Sequence, residues 1–153
     1  MDIVIRDALF EDCCHVAAHL RAADAAEVSE SNPSSTPFNT VLDSWQVSDW
    51  CRVALLDGEP AVLWGVRQID EQTGAPWLLA TDRLQEVRRE FVRQSREEVS
   101  KMLASYPRLY NFVHITNTLS QQWLQWLGFD LYDKPAGRNN NFYLFTSRGF
   151  FNV

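Results

Sequence analysis

The sequence predicts a fold of the α+β class, an α/β/α sandwich-like arrangement around a mixed, mostly antiparallel sheet. Three observations carry this prediction. Three strand-like segments follow one another in mid-chain, and the first two flank Asp57-Gly58, a pair typical of a tight hairpin turn. A long segment of helical periodicity comes next, and a strand, a helix and two further strands complete the chain. We expect about six to seven strands and about four helices.

The first third of the chain is predicted to contain one strand and two helices. Residues 1–8 alternate between apolar and other side chains, as a strand does. A helix is expected from Asp12, whose carboxylate can accept hydrogen bonds from free N–H groups, to about Glu27. The prolines and serines of residues 29–37 predict a loop. A shorter helix is expected over residues 38–48.

The middle of the chain supplies the strand meander and the longest helix. Strands are expected over residues 50–56, 61–69 and 74–80, because these segments are apolar and bounded by turn residues. The helix over residues 84–106 has one apolar stripe, and its other faces mix arginine with glutamate. Pro107 ends it. Mixed charge of this kind is typical of a solvated surface.

Residues 109–129 are the most informative stretch. Residues 110–115 alternate and are rich in aromatic and β-branched side chains, which predicts a strand. Thr116 or Asn117 is expected to cap the helix that follows, and Gly128 fits the left-handed position that ends a helix. The predicted apolar face of this helix consists of Leu119, Trp123, Trp126 and Leu127.

The chain is predicted to end in a pair of strands and an aromatic tail. Residues 142–146 alternate as a strand does and are expected to pair with residues 130–133. The tail, residues 148–153, contains Phe150 and Phe151. If exposed, these rings would suit binding to a neighbouring subunit; folded back, they would be ordinary core.

Composition narrows the classes of partner. The chain has 153 residues, 46% hydrophobic and 22% charged, which suits one globular domain over residues 1–153. Its net charge of -6 argues against broad electrostatic binding of nucleic acid. Since no apolar run is long enough to span a bilayer and no secretory signal pattern opens the chain, neither a membrane nor export is expected. No sequence-specific nucleic-acid partner is expected.

The spacing of the cysteines and histidines predicts neither a disulfide framework nor a metal site. The chain has three cysteines, Cys13, Cys14 and Cys51. An odd number with two adjacent residues does not suit a disulfide framework, so the protein is expected in a reducing compartment. His15 and His19 are one helical turn apart, but no third ligand lies near them in sequence. We therefore expect two partly exposed helix histidines and no metal site.

The stretch after residue 109 carries a family resemblance. Asn117, Ser120 and Gly128-Phe129 resemble the Asn-x-x-Ala … Gly-Phe element of the GNAT (Gcn5-related acyltransferase) fold. A closer resemblance is to a small GNAT-like group of internal virion proteins in short-tailed phages. That resemblance rests on Tyr110-Asn111, Val113, Asn117-Thr118 and Leu127-Gly128.

The resemblance implies an acyl-CoA site, and this sequence differs from the family's pattern at that site. In the family, a glycine-containing turn before the long helix brings backbone N–H groups close to the CoA diphosphate. Here the turn has no glycine, and Asp82 and Glu86 would repel phosphate. The expected degenerate region comprises Thr81, Asp82, Arg83, Leu84, Asn117 and Ser120. The sequence therefore predicts no cofactor, with acetyl-CoA as the alternative.

The catalytic groups that the resemblance implies are also incomplete. The family's general acid is often a tyrosine, and the matching position here is Leu124. The available bases for an amine substrate are Asp70, Glu71 and His114. No catalytic residue is assigned; if the protein is active, the candidates are Asn117, His114 and Tyr132.

Together these observations predict a virion-associated structural or accessory protein with a degenerate GNAT fold. Its expected partners are other phage virion proteins of the portal, tail or internal core, and a homo-oligomeric ring in the particle is one arrangement. The expected location is the virion, and the host cytoplasm during assembly. The alternative is an active acetyl-CoA-dependent N-acyltransferase with an atypical diphosphate turn.

Overall fold

The computed structural model describes residues 2–151, which form seven strands and five α-helices. In chain order they are β1 (Ile3–Asp7), α1 (Phe10–Ala18), α2 (Ala22–Ser31), α3 (Pro37–Val47), β2 (Trp50–Leu56), β3 (Glu59–Gln68), β4 (Thr73–Ala80), α4 (Leu84–Ser105), β5 (Arg108–His114), α5 (Thr118–Trp126), β6 (Asp130–Ala136) and β7 (Phe142–Thr146). A short 3-10 turn, Arg138–Asn140, lies between the last two strands.

The strands are ordered β1-β2-β3-β4-β5-β7-β6 in one mixed sheet. The β1–β2, β2–β3, β5–β7 and β6–β7 pairs are antiparallel, and β4–β5 is parallel. This arrangement confirms the predicted α+β class and its mostly antiparallel sheet. The chain divides into two compact units: the first extends to Arg67 and includes Trp77–Arg93, and the second contains Gln68–Pro76 and everything from Gln94 onward.

The first unit packs helices α1, α2 and α3 against its strands. Val16, Val41, Val53 and Leu63 are completely buried in this core. Helices and strands both contribute to this core. Apolar side chains recur at helical spacing in α1 and α3, and they lie on both faces of β3. The predicted hairpin turn is confirmed, since Asp57 and Gly58 both have positive φ, 48° and 84°.

The predicted bounds of the first helix are wrong, and α2 also extends to Ser31, into the loop predicted over residues 29–37. The single helix from Asp12 to about Glu27 is two helices, because residues 20 and 21 turn aside to meet the end of β4. Leu20 forms a bridge with Thr81, and the Arg21 N–H donates to the Ala80 carbonyl at 2.9 Å. No helix can continue through backbone groups that are bonded to another strand.

The role expected of Asp12 is also corrected. The N-cap residue of α1 is Leu9, and Asp12 lies in the first helical turn. Its buried carboxylate accepts the Leu9 N–H at 2.8 Å and two bonds from the Arg6 guanidinium, at 2.6 and 3.1 Å. Asp12 thus fixes the entry of α1 from within the helix, like the third position of a capping box.

The second unit is built on the β5-β7-β6 ladder. Leu109 and Val113 alternate inward on β5, and the Phe129 ring meets Phe145 edge-on at 5.3 Å. Gly128 ends α5 with φ +98°, as predicted. One side chain differs from expectation: Trp126 is 43% exposed, and the Arg96 guanidinium lies 3.8 Å over its ring. In the aromatic tail, residues 152 and 153 lie outside the described residues.

No helix within residues 2–151 combines the length and apolar character needed to cross a membrane.

Candidate functional site

The end of β4 is fixed by a buried ion pair from α2. Asp24 is 1% exposed, and its carboxylate accepts the Ala80 N–H at 3.0 Å and an Arg21 N–H at 3.3 Å. The Thr81 N–H donates to the Ala61 carbonyl at 2.9 Å. These bonds hold the first residue of the turn between β4 and α4, which is the predicted acyl-CoA region in the first unit.

Four backbone N–H groups at the start of α4, those of residues 83–86, donate to acceptors within the turn itself. The Arg83 N–H donates to the Thr81 hydroxyl at 3.2 Å, and the Leu84 N–H donates to the Thr81 carbonyl at 3.0 Å. The N–H groups of Gln85 and Glu86 donate to the carbonyls of Asp82 and Arg83, at 3.4 and 3.0 Å. Four of the donors that could hold an anion at this helix start are therefore engaged locally.

The cation of the turn, Arg83, is paired with neighbouring carboxylates. The Arg83 guanidinium donates to Glu59 at 2.7 Å and to both carboxylate oxygens of Glu86, at 3.0 and 3.4 Å. Glu59 also lies 3.2 Å from Nε2 of His15. The hydrogen bond from Arg83 is the main cause that lowers the pKa of Glu59, and the bond to Glu86 is the main cause that raises the pKa of Arg83.

This turn does not fit the diphosphate of acyl-CoA. A diphosphate here would meet the carboxylates of Glu59, Asp82 and Glu86, and like charges at short range repel. The cation that could bind it, Arg83, is already paired with two of those carboxylates. Leu84 is fully buried and Thr81 is 4% exposed, so two of the predicted contact residues are core side chains.

Asn117 and Ser120, in the second unit, form a helix cap. Asn117 is 3% exposed, and its side-chain oxygen accepts the Ser120 N–H at 3.4 Å. Its own N–H donates to the His114 carbonyl at 2.9 Å. The structure thus selects Asn117 over Thr116 as the N-cap, and it brings two of the predicted residues together through a local hydrogen bond.

His114 is bonded within the same strand-to-helix connection. Its Nδ1 lies 2.8 Å from the Thr116 hydroxyl and accepts the Thr116 N–H at 3.2 Å. In a neutral ring this places the proton on Nε2. The side chain of Gln121 donates to the carbonyls of His114 and Ile115, at 3.1 and 2.8 Å, and so fixes the end of β5.

Tyr132 and His114 are not brought together. They lie on β6 and β5, which flank β7, and they are level with Leu144 and Phe142 respectively. Two strand spacings across the sheet and two residues along β7 separate their Cα atoms by roughly 12 Å. The Tyr132 hydroxyl instead lies 3.4 Å from the Thr146 hydroxyl. The two candidate groups therefore cannot act on one proton by direct contact.

The carboxylate candidates lie in an exposed turn. Asp70 accepts the Gln72 N–H at 2.9 Å, and this bond is the main cause that lowers its pKa. A carboxylate with a lowered pKa is a weaker base near neutral pH. Glu71 is exposed beside it. Among residues 2–151, no three His, Cys, Asp or Glu side chains are arranged to hold a metal ion.

Sequence patterns did not identify the groups that shape the turn. Asp24 lies among alanines on a helix whose apolar residues face the core, and a carboxylate at such a position indicates a buried partner. That pattern could have been recognised. Glu59 and His15 could not, because their connection to Arg83 depends on how the β2–β3 hairpin and α1 pack.

Comparison of the sequence with protein-family models and with curated proteins found no match. Comparison of the structure with solved structures did. The chain is similar to Ard1 from Thermoplasma volcanium, with a TM-score of 0.67 and 14% identity over 95% of this chain and 97% of that one. It is similar to AAC(6')-Ib in complex with ribostamycin and coenzyme A, with a TM-score of 0.66 and 12% identity over 99% and 97%.

A third similar structure is an acetyltransferase of the GNAT family from Streptococcus pneumoniae, with a TM-score of 0.57 and 15% identity over 95% of this chain and 99% of that one. Identities this low relate the folds alone. The resemblance to phage virion proteins stays a prediction from the sequence. The match over nearly the whole length of each protein shows that this chain has the GNAT acetyltransferase fold.

Proposed function

We propose that this protein is a virion-associated accessory protein of a short-tailed phage, which uses the GNAT fold as a scaffold for binding other virion proteins near the portal, tail or internal core. The observation that carries the proposal is the turn before α4. The N–H groups of residues 83–86 are bonded within the turn, and Arg83 is paired with Glu59 and Glu86. A fold that keeps its architecture while closing its anion site is suited to contacts rather than to acyl transfer.

The phage assignment is supported by the sequence between Tyr110 and Gly128. The residues of that stretch have structural roles here: Asn117 caps α5, Gly128 ends it, and the Asn111 side chain donates to the Pro76 carbonyl at 2.9 Å. This last bond joins β5 to β4 just beyond their two backbone-paired positions, Thr73–Arg108 and Gly74–Leu109. Residues that build a strand–helix–strand scaffold can be retained without any catalysis.

Mass spectrometry of purified particles tests this proposal directly. We expect peptides of this chain in mature particles of the phage that encodes it, at a copy number that stays constant through repeated purification. Particles that lack the chain after gradient purification, while it accumulates in the infected cell, would contradict the proposal.

A second candidate function is acetyl-CoA-dependent N-acylation. The similarity to acetyltransferase structures favours this candidate more directly than it favours the first, and one of those structures contains coenzyme A. A thiol-release assay with acetyl-CoA and a panel of amines and proteins tests it. Turnover that is proportional to the concentration of pure protein would support this second function and contradict the first.

A further inference from the structure

Aromatic side chains are exposed at two places in the chain, and neither place belongs to the candidate site. The first is the tip of the aromatic tail, Phe150 and Phe151, in the second unit; we call this pair the aromatic tip. Phe151 is 62% exposed, and its ring lies 4.9 Å from Phe150 and 5.9 Å from Tyr132. Phe150 is held by Tyr110, at 5.8 Å, and by the Arg108 guanidinium, 5.0 Å above its ring. The tip is therefore a supported ring that projects into solvent.

The second feature is a groove in the first unit, between α1 and α3; we call it the α1–α3 groove. It has a volume of about 400 Å³. Its apolar wall is formed by Phe10, Leu42 and Trp45, and the rings of Phe10 and Trp45 are 5.9 Å apart. Phe10 is 51% exposed although it is the first residue of a helix that packs on the core. Asn39, Asp43 and Gln46 add polar groups.

The two features match in size and in chemistry. The groove has room for one aromatic side chain, and its rings allow tilted or edge-on contacts with the ring that enters. An aromatic anchor in a pocket surrounded by polar groups is the usual centre of a protein interface. Phe151 has the exposure that such an anchor needs, and Phe10 and Trp45 provide the pocket.

Charge complementarity identifies a second copy of this chain as the occupant. The second unit has as many basic as acidic side chains, so the whole net charge of -6 belongs to the first unit. The charged residue of the groove is Asp43. Three exposed cations, Lys134, Arg138 and Arg148, belong to the last 20 residues of the chain, and only Gly149 separates Arg148 from the tip. The chain thus carries an acidic groove and a basic, aromatic tip.

We infer that the aromatic tip of one copy enters the α1–α3 groove of another, with Phe151 against Phe10 and Trp45 and with Arg148 beside Asp43. Because tip and groove are different surfaces, the contact can occur twice in a reciprocal dimer, or it can repeat head-to-tail in a closed ring or an open filament. This inference does not depend on the proposed function, since self-association is compatible with a virion protein and with an enzyme.

Sedimentation velocity on the full chain tests the contact, from about 1 µM to about 1 mM protein. We expect the wild-type protein to form species larger than a monomer as its concentration rises. Phe151→Ala should weaken association at least about tenfold, as the loss of an aromatic anchor does. The matched control is Val47→Ser, which changes a side chain that is 52% exposed and outside the groove; it should associate like the wild type.

Charge reversal shows whether tip and groove meet between copies. Asp43→Arg and Arg148→Asp should each prevent association when studied alone, because each places like charges at the contact. An equimolar mixture of the two variants should associate again, since every tip then has a groove of opposite charge. Glu71→Arg, at an exposed position of the second unit, is the control for a general effect of charge.

The thermal stability of each variant is measured, so that loss of association can be distinguished from loss of folding. Association that returns on mixing also shows that both charge variants are folded. A wild-type chain that stays monomeric at about 1 mM would overturn the inference. So would association that survives Phe151→Ala, or a mixture of the charge variants that stays monomeric. Association that is lost with Phe151→Ala and restored by mixing the charge variants would establish it.

Discussion

The carboxylate of Asp24 should be one of the most important single groups for the stability of the first unit. It lies 1% exposed on α2 and receives the backbone N–H of Ala80 and the guanidinium of Arg21, whose side chain is 12% exposed. Asp24→Ala removes the acceptor but leaves the Ala80 N–H and the Arg21 guanidinium in place. The buried Ala80 N–H then has no carboxylate, and Arg21 loses its counter-charge.

The size of the effect follows from these two losses. A buried N–H group left without a partner costs about 1–3 kcal/mol. Breaking a buried ion pair by removing one member costs about 3–5 kcal/mol in all. Because Arg21 retains some contact with water, we expect a value near the lower limit, about 3 kcal/mol. For a chain of this size that lowers Tm by about 6–12 °C.

Urea unfolding followed by circular dichroism measures this loss. Asp24→Asn keeps an oxygen for Ala80 but removes the charge, so its loss should be intermediate. The control is Asp43→Ala, an exposed carboxylate on α3, which should change the free energy of unfolding by less than about 0.5 kcal/mol. Hydrogen exchange should become faster at the Ala80 amide. A loss below about 1 kcal/mol for Asp24→Ala would refute the reasoning.

Three further predictions follow from individual positions. Gly65→Ala should destabilise the protein by about 1–3 kcal/mol in urea, since its Cβ would lie 2.8 Å from the Trp50 carbonyl oxygen and 3.0 Å from the Trp77 ring; an unchanged midpoint would contradict this. Gly128→Ala should cost about 1 kcal/mol for a different reason, because its φ is +98° while the space around it is open; a neutral result there would show that the backbone relaxes. Carboxyl NMR titration should find the pKa of Glu59 below its ordinary value of 4.5. Its contribution to stability is then present above pH 4.5 and lost as pH falls through the lowered value, and Arg83→Gln should return the pKa toward 4.5; an unchanged titration in that variant would argue against the ion pair.

Local patterns determined most elements of the fold, because each depends on chemistry within a few residues. Asp57-Gly58 predicted the β2–β3 hairpin, Asn117 and Gly128 predicted the two ends of α5, and Pro107 marked the end of α4. The break between α1 and α2 was missed for the opposite reason. Residues 20 and 21 have no turn chemistry of their own, and they leave the helix because backbone groups at the end of β4 bind them.

The sequence allowed a prediction about the residue types of the candidate site but not about their contacts. The absence of glycine and the presence of Asp82 and Glu86 indicated a poor diphosphate site from the sequence alone. The sequence could not show that Glu59, 24 residues away, reaches Arg83 from the hairpin. Nor could it show that the Thr81 hydroxyl bonds the Arg83 N–H, because a threonine hydroxyl can bond any of several nearby backbone groups.

Titration of the pure protein with acetyl-CoA by calorimetry tests the central claim most directly. The closed, acid-lined turn between β4 and α4 predicts no saturable binding up to about 1 mM ligand. Saturable binding in the micromolar range, weakened by Gln85→Glu at an exposed position of the first turn of α4 in a variant that melts like the wild type, would contradict the account and would place the diphosphate at this turn.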